Sequence, residues 1–493
     1  VAVAQTLWKD LGLSYGTYQV GFRHYVTFDH SRSYQRQSDW DTMVTARPMA
    51  ISVWYPTANA APINRLKVQD YMQILKEEEE WERLPNDKIL SWFYYADTEV
   101  NRKHMALPTK AVRQAQVHKG KFPVVIYAPS YQASSIENFA LCEFLASHGY
   151  VVLASPSRGT ESRPLAGGTT RDLETQVGDI QFLIGQSAQW PFTDKTNLAV
   201  AGFSFGGMSN VLAQMKDSRV KALVCLDGSV RYQLDKLLAS PYADLSKVKV
   251  PFLFMAQKDI PLRVMEEDNI DTTLNSRFAF FDSLRYSQAY FLKFHDLTHS
   301  YFSSLGVLFQ TRDLRQDKSD SAIIESYRWV NRYTLQFLNA CLKANEQSKQ
   351  FLARNPVNNH APDQLVTILR KVPLKRALSF EAFHGLAKKQ RYQNLDVLIN
   401  QLKQQYPGLV LEEWKLNNLG LQLLFKRSIQ PAISILNLAT TLYPQSGNVY
   451  DSLAEGYLVS GNKEQAAKAF QRSLELDSHN QNAIDQLRKL RNK

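Results

Sequence analysis

Asn197-Leu198-Ala199-Val200-Ala201-Gly202-Phe203-Ser204-Phe205-Gly206-Gly207-Met208 decides how the first two-thirds of this chain is read. An apolar strand runs into G-x-S-x-G, and Val211, Leu212 and Met215 continue behind it at helical spacing. Strand, sharp turn and helix are the context that makes this short motif a nucleophile elbow; without them it is a glycine-rich turn. Side chains at Gly202 and Gly206 would collide where strand and helix approach, and Ser204 itself carries the backbone strain of the turn. The elbow presents the Ser204 hydroxyl at the C-terminal edge of a sheet. It also lies near a helix N-terminus, where the Phe205 backbone N–H can face a developing oxyanion.

Outward from the elbow, the same alternation of strand and helix recurs. Val124–Ala128 is a short buried-strand run and Tyr150–Ala154 is the next. Between them Ser134 or Ser135 can cap a helix whose Ile136, Phe139, Ala140 and Leu145 share a face, with Gly149 at its C-terminal stop. This is a βαβ crossover, so its strands should be parallel. Leu198–Ala201, Ala222–Leu226 and Phe252–Met255 add further strands. The expected fold class is α/β, a doubly wound, mostly parallel sheet. Tyr18–Phe28 and Met49–Tyr55 are early strands, and residues 60–118, with the charged run Lys76–Trp81, read as a largely helical excursion.

Near residue 355 the texture changes to helical period throughout, giving expected domains of 1–355 and 356–493. Leu416, Leu419, Gly420, Leu423, Ala432, Leu436, Ala439 and Pro444 have counterparts 34 residues later in Tyr450, Leu453, Ala454, Tyr457, Ala466, Phe470, Ser473 and Ser478. Small residues stand where paired helices would cross and large ones between. This register resembles the tetratricopeptide repeat, with units at about 413–446 and 447–480. A degenerate earlier pair spans about Ser379–Pro407, and Ala483–Leu490 reads as a solvating cap helix. Such a region either presents a groove to a protein partner, or buttresses the enzyme and helps a dimer form.

With 493 residues, 44% hydrophobic and 21% charged, the chain has ordinary globular composition and is too long for one core. Its net charge of +11 is concentrated: Cys341–Lys493 holds 21 Lys/Arg against 12 Asp/Glu, leaving 37 against 35 elsewhere. No basic cluster there is interleaved with aromatics, so the charge reads as a solvated helical face and no nucleic-acid partner is expected. No apolar run approaches the ~18 residues that would span a membrane. Cys142, Cys225 and Cys341 form no CxxC and no disulfide framework. Ala2-x-Ala4 resembles the small-residue end of a signal peptide, so a secreted or periplasmic location is expected.

A serine hydroxyl needs a base, and the base an orienting carboxylate. Downstream of Ser204 the α/β part offers two histidines, His295 and His299, just after the apolar run Ala289–Leu292. Asp227 and Asp259, each following a strand, compete as the acid, and either could be a plain turn residue. His295-x-x-x-His299 superficially resembles a zinc-protease helix, but Asp296 stands where Glu belongs and no third ligand presents itself. No metal or organic cofactor is expected.

The early Arg47-Pro48 and Val53-Trp54-Tyr55-Pro56, Phe122–Ile126, Leu145–Tyr150, the elbow Gly202–Gly207, Leu226-Asp227 and His299-x-x-Phe302 together resemble the α/β-hydrolases of the platelet-activating-factor acetylhydrolase and dienelactone hydrolase-like group. The resemblance covers about residues 15–340. It implies a serine hydrolase acting on a small carboxylic ester, with Ser204 as nucleophile, His299 as base and Asp227 rather than Asp259 as acid. It further implies an oxyanion hole from the backbone N–H groups of Phe205 and Tyr131. One departure stands out: Pro129-Ser130-Tyr131 occupies the place of the group's usual His-Gly. The long span from Asp259 to His299 leaves room for a lid-like insertion. Alternatives are a peptidase or amidase using the same triad, and a repeat scaffold carrying an inactive hydrolase domain. Trp92, Phe93, Tyr94 and Tyr95 are available to line an acyl pocket or to pack the excursion on the sheet.

Overall fold

The computed structural model describes residues 10–37, 42–58, 65–309, 316–374, 378–406 and 409–491. The expected signal-peptide remnant at residues 1–4, and Pro407, lie outside them. The chain divides into two compact units, Val1–Leu374 and Lys375–Lys493.

The first unit is built on an eleven-stranded sheet. β1 (Gln19–Gln37) and β2 (Thr42–Thr57) form a long antiparallel ribbon. β3 (Arg65–Lys67) and β4 (Pro108–Arg113) complete that side. β5 (Phe122–Ala128), β6 (Val151–Ala154), β7 (Thr193–Phe203), β8 (Val220–Leu226), β9 (Phe252–Ala256) and β10 (Ala289–Phe294) run parallel in the order β6-β5-β7-β8-β9-β10. β11 (Val366–Lys371) closes the far edge antiparallel to β10. Alternation along β5 sends Val125 and Tyr127 into one core with Leu141, Tyr327 and Val330. Val124, Ile126 and Ala128 enter a second core on the opposite face, with Leu173, Val177, Val211 and Leu212. Because both faces are covered, the central strands read as continuous apolar runs.

Three sequence expectations are corrected. The 60–118 excursion is not only helical. Its helices Val68–Glu78 and Glu99–Met105 are bracketed by β3 and β4, and β4 pairs parallel with β1. Strands of three and six residues with only one and three buried positions carry little apolar signal. The βαβ helix does not start at Ser134 or Ser135 but at Phe139, after Asn138. The two serines instead donate their hydroxyls to the buried Glu78 carboxylate, each at 2.5 Å. Finally, the unit boundary lies at 374/375 rather than near 355, because β11 adds six registered residues to the edge of the sheet.

The second unit is helical. Helices Phe380–Lys389 and Leu395–Gln405 are followed by two pairs, Glu413–Phe425 with Ile429–Leu442 and Gly447–Val459 with Lys463–Leu476. Each helix of the first pair returns 34 residues later in the second. Leu416, Ala432, Leu436, Ala439, Ala454, Ala466, Phe470 and Ser473 are all fully buried. A Cβ on Gly420 would meet the Leu436 side chain at 2.5 Å, so a larger residue at this helix crossing would force Leu436 to shift. Gln481–Arg491 is the last helix. Among the described residues no helix is long and apolar enough to cross a membrane.

Candidate active site

β7 delivers Phe203 to a turn in which Ser204 adopts φ 53° and ψ −118°, before the helix Phe205–Lys216 begins. A non-glycine residue there costs on the order of 1–3 kcal/mol, and the surroundings must hold it. The Ser204 N–H donates to the Leu226 carbonyl at 3.1 Å, and the Ser204 carbonyl accepts from Ser229 N–H at 2.7 Å and Gly207 N–H at 3.0 Å. Behind it, a Cβ on Gly206 would press into the Ala128 carbonyl at the end of β5. Glycine is therefore required for close approach of helix and strand, not for conformation.

The next strand end supplies the carboxylate. Asp227 follows β8, is fully buried, and has its own positive φ of 40°. Its backbone N–H donates to the Met255 carbonyl at 2.6 Å. Oδ1 accepts the Tyr232 hydroxyl at 2.8 Å and the Gln257 N–H at 3.3 Å, while Gln257 Nε2 donates to the Tyr232 oxygen at 2.9 Å. Oδ2 stands 2.6 Å from His299 Nδ1, and His299 Nε2 stands 2.9 Å from Ser204 Oγ. The imidazole, in the turn after β10, lies between Phe203, 4.8 Å away by ring centroids, and Tyr232, edge-on at 6.4 Å. With the ring proton on Nδ1 facing Asp227, Nε2 is left to accept the serine proton.

The structure thus brings Ser204, His299 and Asp227 together. Neither of the other two candidates bonds to them: Asp259 pairs with Lys293 Nζ at 2.5 Å, and His295 Nε2 lies 3.2 Å from Thr367 Oγ1 of β11. A cleft of about 340 Å³ opens at Ser204 and His299, lined also by Ser229, Tyr232, Ile260, Thr298 and Asp259, so Asp259 reaches the cleft without joining the hydrogen-bonded line.

The Phe205 amide is at the first helical position, where no intrahelical acceptor exists. Tyr131 stands in the turn after β5, its ring edge-on to Phe205 at 6.0 Å. Its hydroxyl donates to Leu165 O at 3.4 Å and accepts from Gly167 N–H at 3.2 Å. Trp92, Phe93, Tyr94 and Tyr95 do not line the cleft at Ser204; Phe93 and Tyr95 pack on the core of the sheet.

The dienelactone hydrolase family matches residues 110–300, the stretch from β4 to the His299 turn. The first unit has an α/β-hydrolase-like mixed-sheet fold. A ferulic acid esterase from Streptomyces cinnamoneus, solved at 2.4 Å resolution, has the same fold: 73% of this chain and 98% of that one superpose with a TM-score of 0.52 at 18% identity. Among curated proteins no match was found.

Three polar residues of this unit escaped the sequence reading. Tyr232 and Gln257 reach Asp227 from separate elements, and no local pattern marks either. Glu137 is buried within hydrogen-bond reach of Ser130. Burial raises its carboxyl from the usual 4.5 to about 7, against the opposing pull of the two Ser130 donors and of His299.

Proposed function

We propose that this protein is a serine hydrolase that cleaves small carboxylic esters through an acyl-enzyme. The observation that carries the reading is the unbroken hydrogen-bonded line from Ser204 Oγ through His299 to the buried Asp227. Ser204 Oγ attacks the ester carbonyl as His299 Nε2 takes its proton, and Asp227 stabilises the imidazolium that forms. The amides of Phe205 and Tyr131 receive the oxyanion. The tetrahedral intermediate collapses with the proton passing from Nε2 to the leaving alcohol. Water, activated by the same nitrogen, then releases the acid and restores Ser204. The modest size of the cleft supports a short acyl or an aryl group. For the second unit we propose tetratricopeptide-type repeats, on the strength of the 34-residue helix-pair period.

The test is hydrolysis of a p-nitrophenyl ester series from acetate to decanoate, together with fluorophosphonate labelling. Wild type should label and turn over the short esters; Ser204→Ala should do neither. Labelling without ester turnover would move the substrate to amides or peptides. Absence of both in wild type would leave an inactive hydrolase unit.

A further inference from the structure

The turn after β5 must aim one backbone amide at the oxyanion, yet Pro129 opens it with no N–H of its own. Three anchors hold it. The Pro129 carbonyl accepts from Gln176 Nε2 at 2.9 Å. The Tyr131 hydroxyl is tied to the Leu165–Gly167 loop. Between them, Ser130 gives both of its donors to one side chain: its N–H goes to Glu137 Oε2 at 2.9 Å, and its hydroxyl goes to Glu137 Oε1. Tyr127, on β5 itself, donates to the same Oε2 at 3.4 Å.

Glu137 is itself fixed at the backbone. Its N–H donates to Ser134 O at 3.1 Å, and its carbonyl accepts from Leu305 N–H at 3.2 Å, in the segment just after His299. The turn lies against the elbow, because a Cβ on Gly206 would meet both the Ala128 and the Pro129 carbonyls. A displacement of Ser130 is therefore passed directly to Tyr131, its chain neighbour, beside Phe205.

Burying a carboxylate among neutral donors is costly unless they are held in place. Among the described residues no arginine or lysine reaches Glu137; its partners are Ser130 and Tyr127. Fold stability alone is better served by an apolar side chain at such a site. A short, doubly accepting carboxylate is, however, what fixes a two-donor residue in one orientation.

We propose that Glu137 is the positioning residue of the oxyanion turn, its carboxylate gripping the N–H and hydroxyl of Ser130 so that the Tyr131 amide points at the oxyanion. This rests on the serine-hydrolase reading. Glu137 touches no reacting atom; it acts through Ser130. A glutamine in its place can accept only the Ser130 N–H and must meet the Ser130 hydroxyl with its own N–H₂, so the hydroxyl is turned from donor to acceptor and the charge-assisted grip becomes a weaker neutral one.

The test uses the full chain as wild type, Glu137→Gln, Ser130→Ala and the double variant. Live sites are counted by fluorophosphonate titration, and kcat on p-nitrophenyl acetate is expressed per titrated site. Glu137→Gln should lower kcat per site by roughly 10–100-fold with KM within about twofold, the signature of a lost transition-state interaction. Ser130→Ala should fall between that and wild type. The double variant should be no worse than Glu137→Gln, because both changes remove the same grip. A purely structural glutamate would lower the number of live sites and leave kcat per site unchanged. Unchanged kcat per site in both single variants, with an active wild type, overturns the proposal alone. A wild type that neither labels nor turns over esters overturns the serine-hydrolase reading and the proposal with it.

Discussion

Asp227 has no solvent contact and is surrounded by donors, and its two oxygens are engaged separately. Oδ2 meets His299, while Oδ1 is held by Tyr232 and Gln257. Asp227→Asn turns an amide N–H₂ toward Nδ1 and favours the wrong imidazole tautomer. A loss of roughly 10³–10⁴-fold in kcat is expected. Asp259→Asn breaks a pair with Lys293 at the lining of the same cleft but no bond to His299 or Ser204, and should cost less than about threefold; comparing the two variants on one ester checks the assignment. Tyr232→Phe removes its hydrogen bond to the Asp227 carboxylate, and a loss of roughly tenfold in kcat with unchanged KM is expected, in line with roughly 1.5 kcal/mol for such a bond. Glu137 gives a pH signature independent of turnover. Because burial raises its carboxyl to about 7, the folded protein keeps a proton that the unfolded chain gives up near pH 4.5. Its contribution to stability is therefore present in acid, declines as pH rises through this window, and is lost above about 7. Urea unfolding at pH 5 and pH 8 should show wild type losing stability relative to Glu137→Gln on the order of 3 kcal/mol. Equal differences at the two pH values would contradict a buried Glu137 that keeps its proton below about pH 7 and grips Ser130 as the carboxylate above it.

At the scale of elements, the site is a meeting of strand ends whose distances are set by sheet order. Helix Phe205–Lys216 can sit close enough to β5 only because Gly206 lacks a side chain. Gly206→Ala should force strand and helix apart, lowering the urea midpoint and the number of sites that label with fluorophosphonate together. A variant that labels fully with an unshifted midpoint would show the contact to be softer than this geometry implies. The elbow was legible in the sequence because it is local: an apolar strand, a G-x-S-x-G turn and a helix lie within twenty residues. The acid was not decided by the residues alone, since Asp227 and Asp259 both follow apolar strands. What separates them is where each carboxylate points relative to the loop after β10, a tertiary property. β4 and β11 were invisible for a related reason: each buries only a few of its six residues, so neither makes an apolar run. Ser134 and Ser135 looked like helix caps because the partner that claims their hydroxyls, Glu78, lies 56 and 57 residues away in sequence.

The whole molecule is two units with separate cores, and the point in the chain where one ends and the other begins is testable. In the first, Ala361, Leu365 and Val366 are buried with the core that covers one face of the sheet, and β11 pairs with β10 from Ala289 to Phe294. The second has clusters of its own, one around Phe383, Leu398, Leu416 and Ile435 and another around Ala466 and Phe470. A chain ending at Leu374 keeps the first set intact. One ending at Asn355 discards three buried apolar residues and leaves β10 as an open edge, which invites pairing with another chain. At roughly 1.5–3 kcal/mol for each large apolar side chain, and about 2–4 °C per kcal/mol in a unit of this size, the shorter fragment should melt on the order of 10 °C lower. Thermal unfolding, size-exclusion chromatography and fluorophosphonate titration of fragments 1–374 and 1–355 make the comparison. The longer fragment should be monodisperse and label at every site, and the shorter should lose label as it associates. Equal melting temperatures would mean that β11 is dispensable and that the hydrolase unit ends earlier in the chain. Association of both fragments would mean that the first unit does not stand without the second.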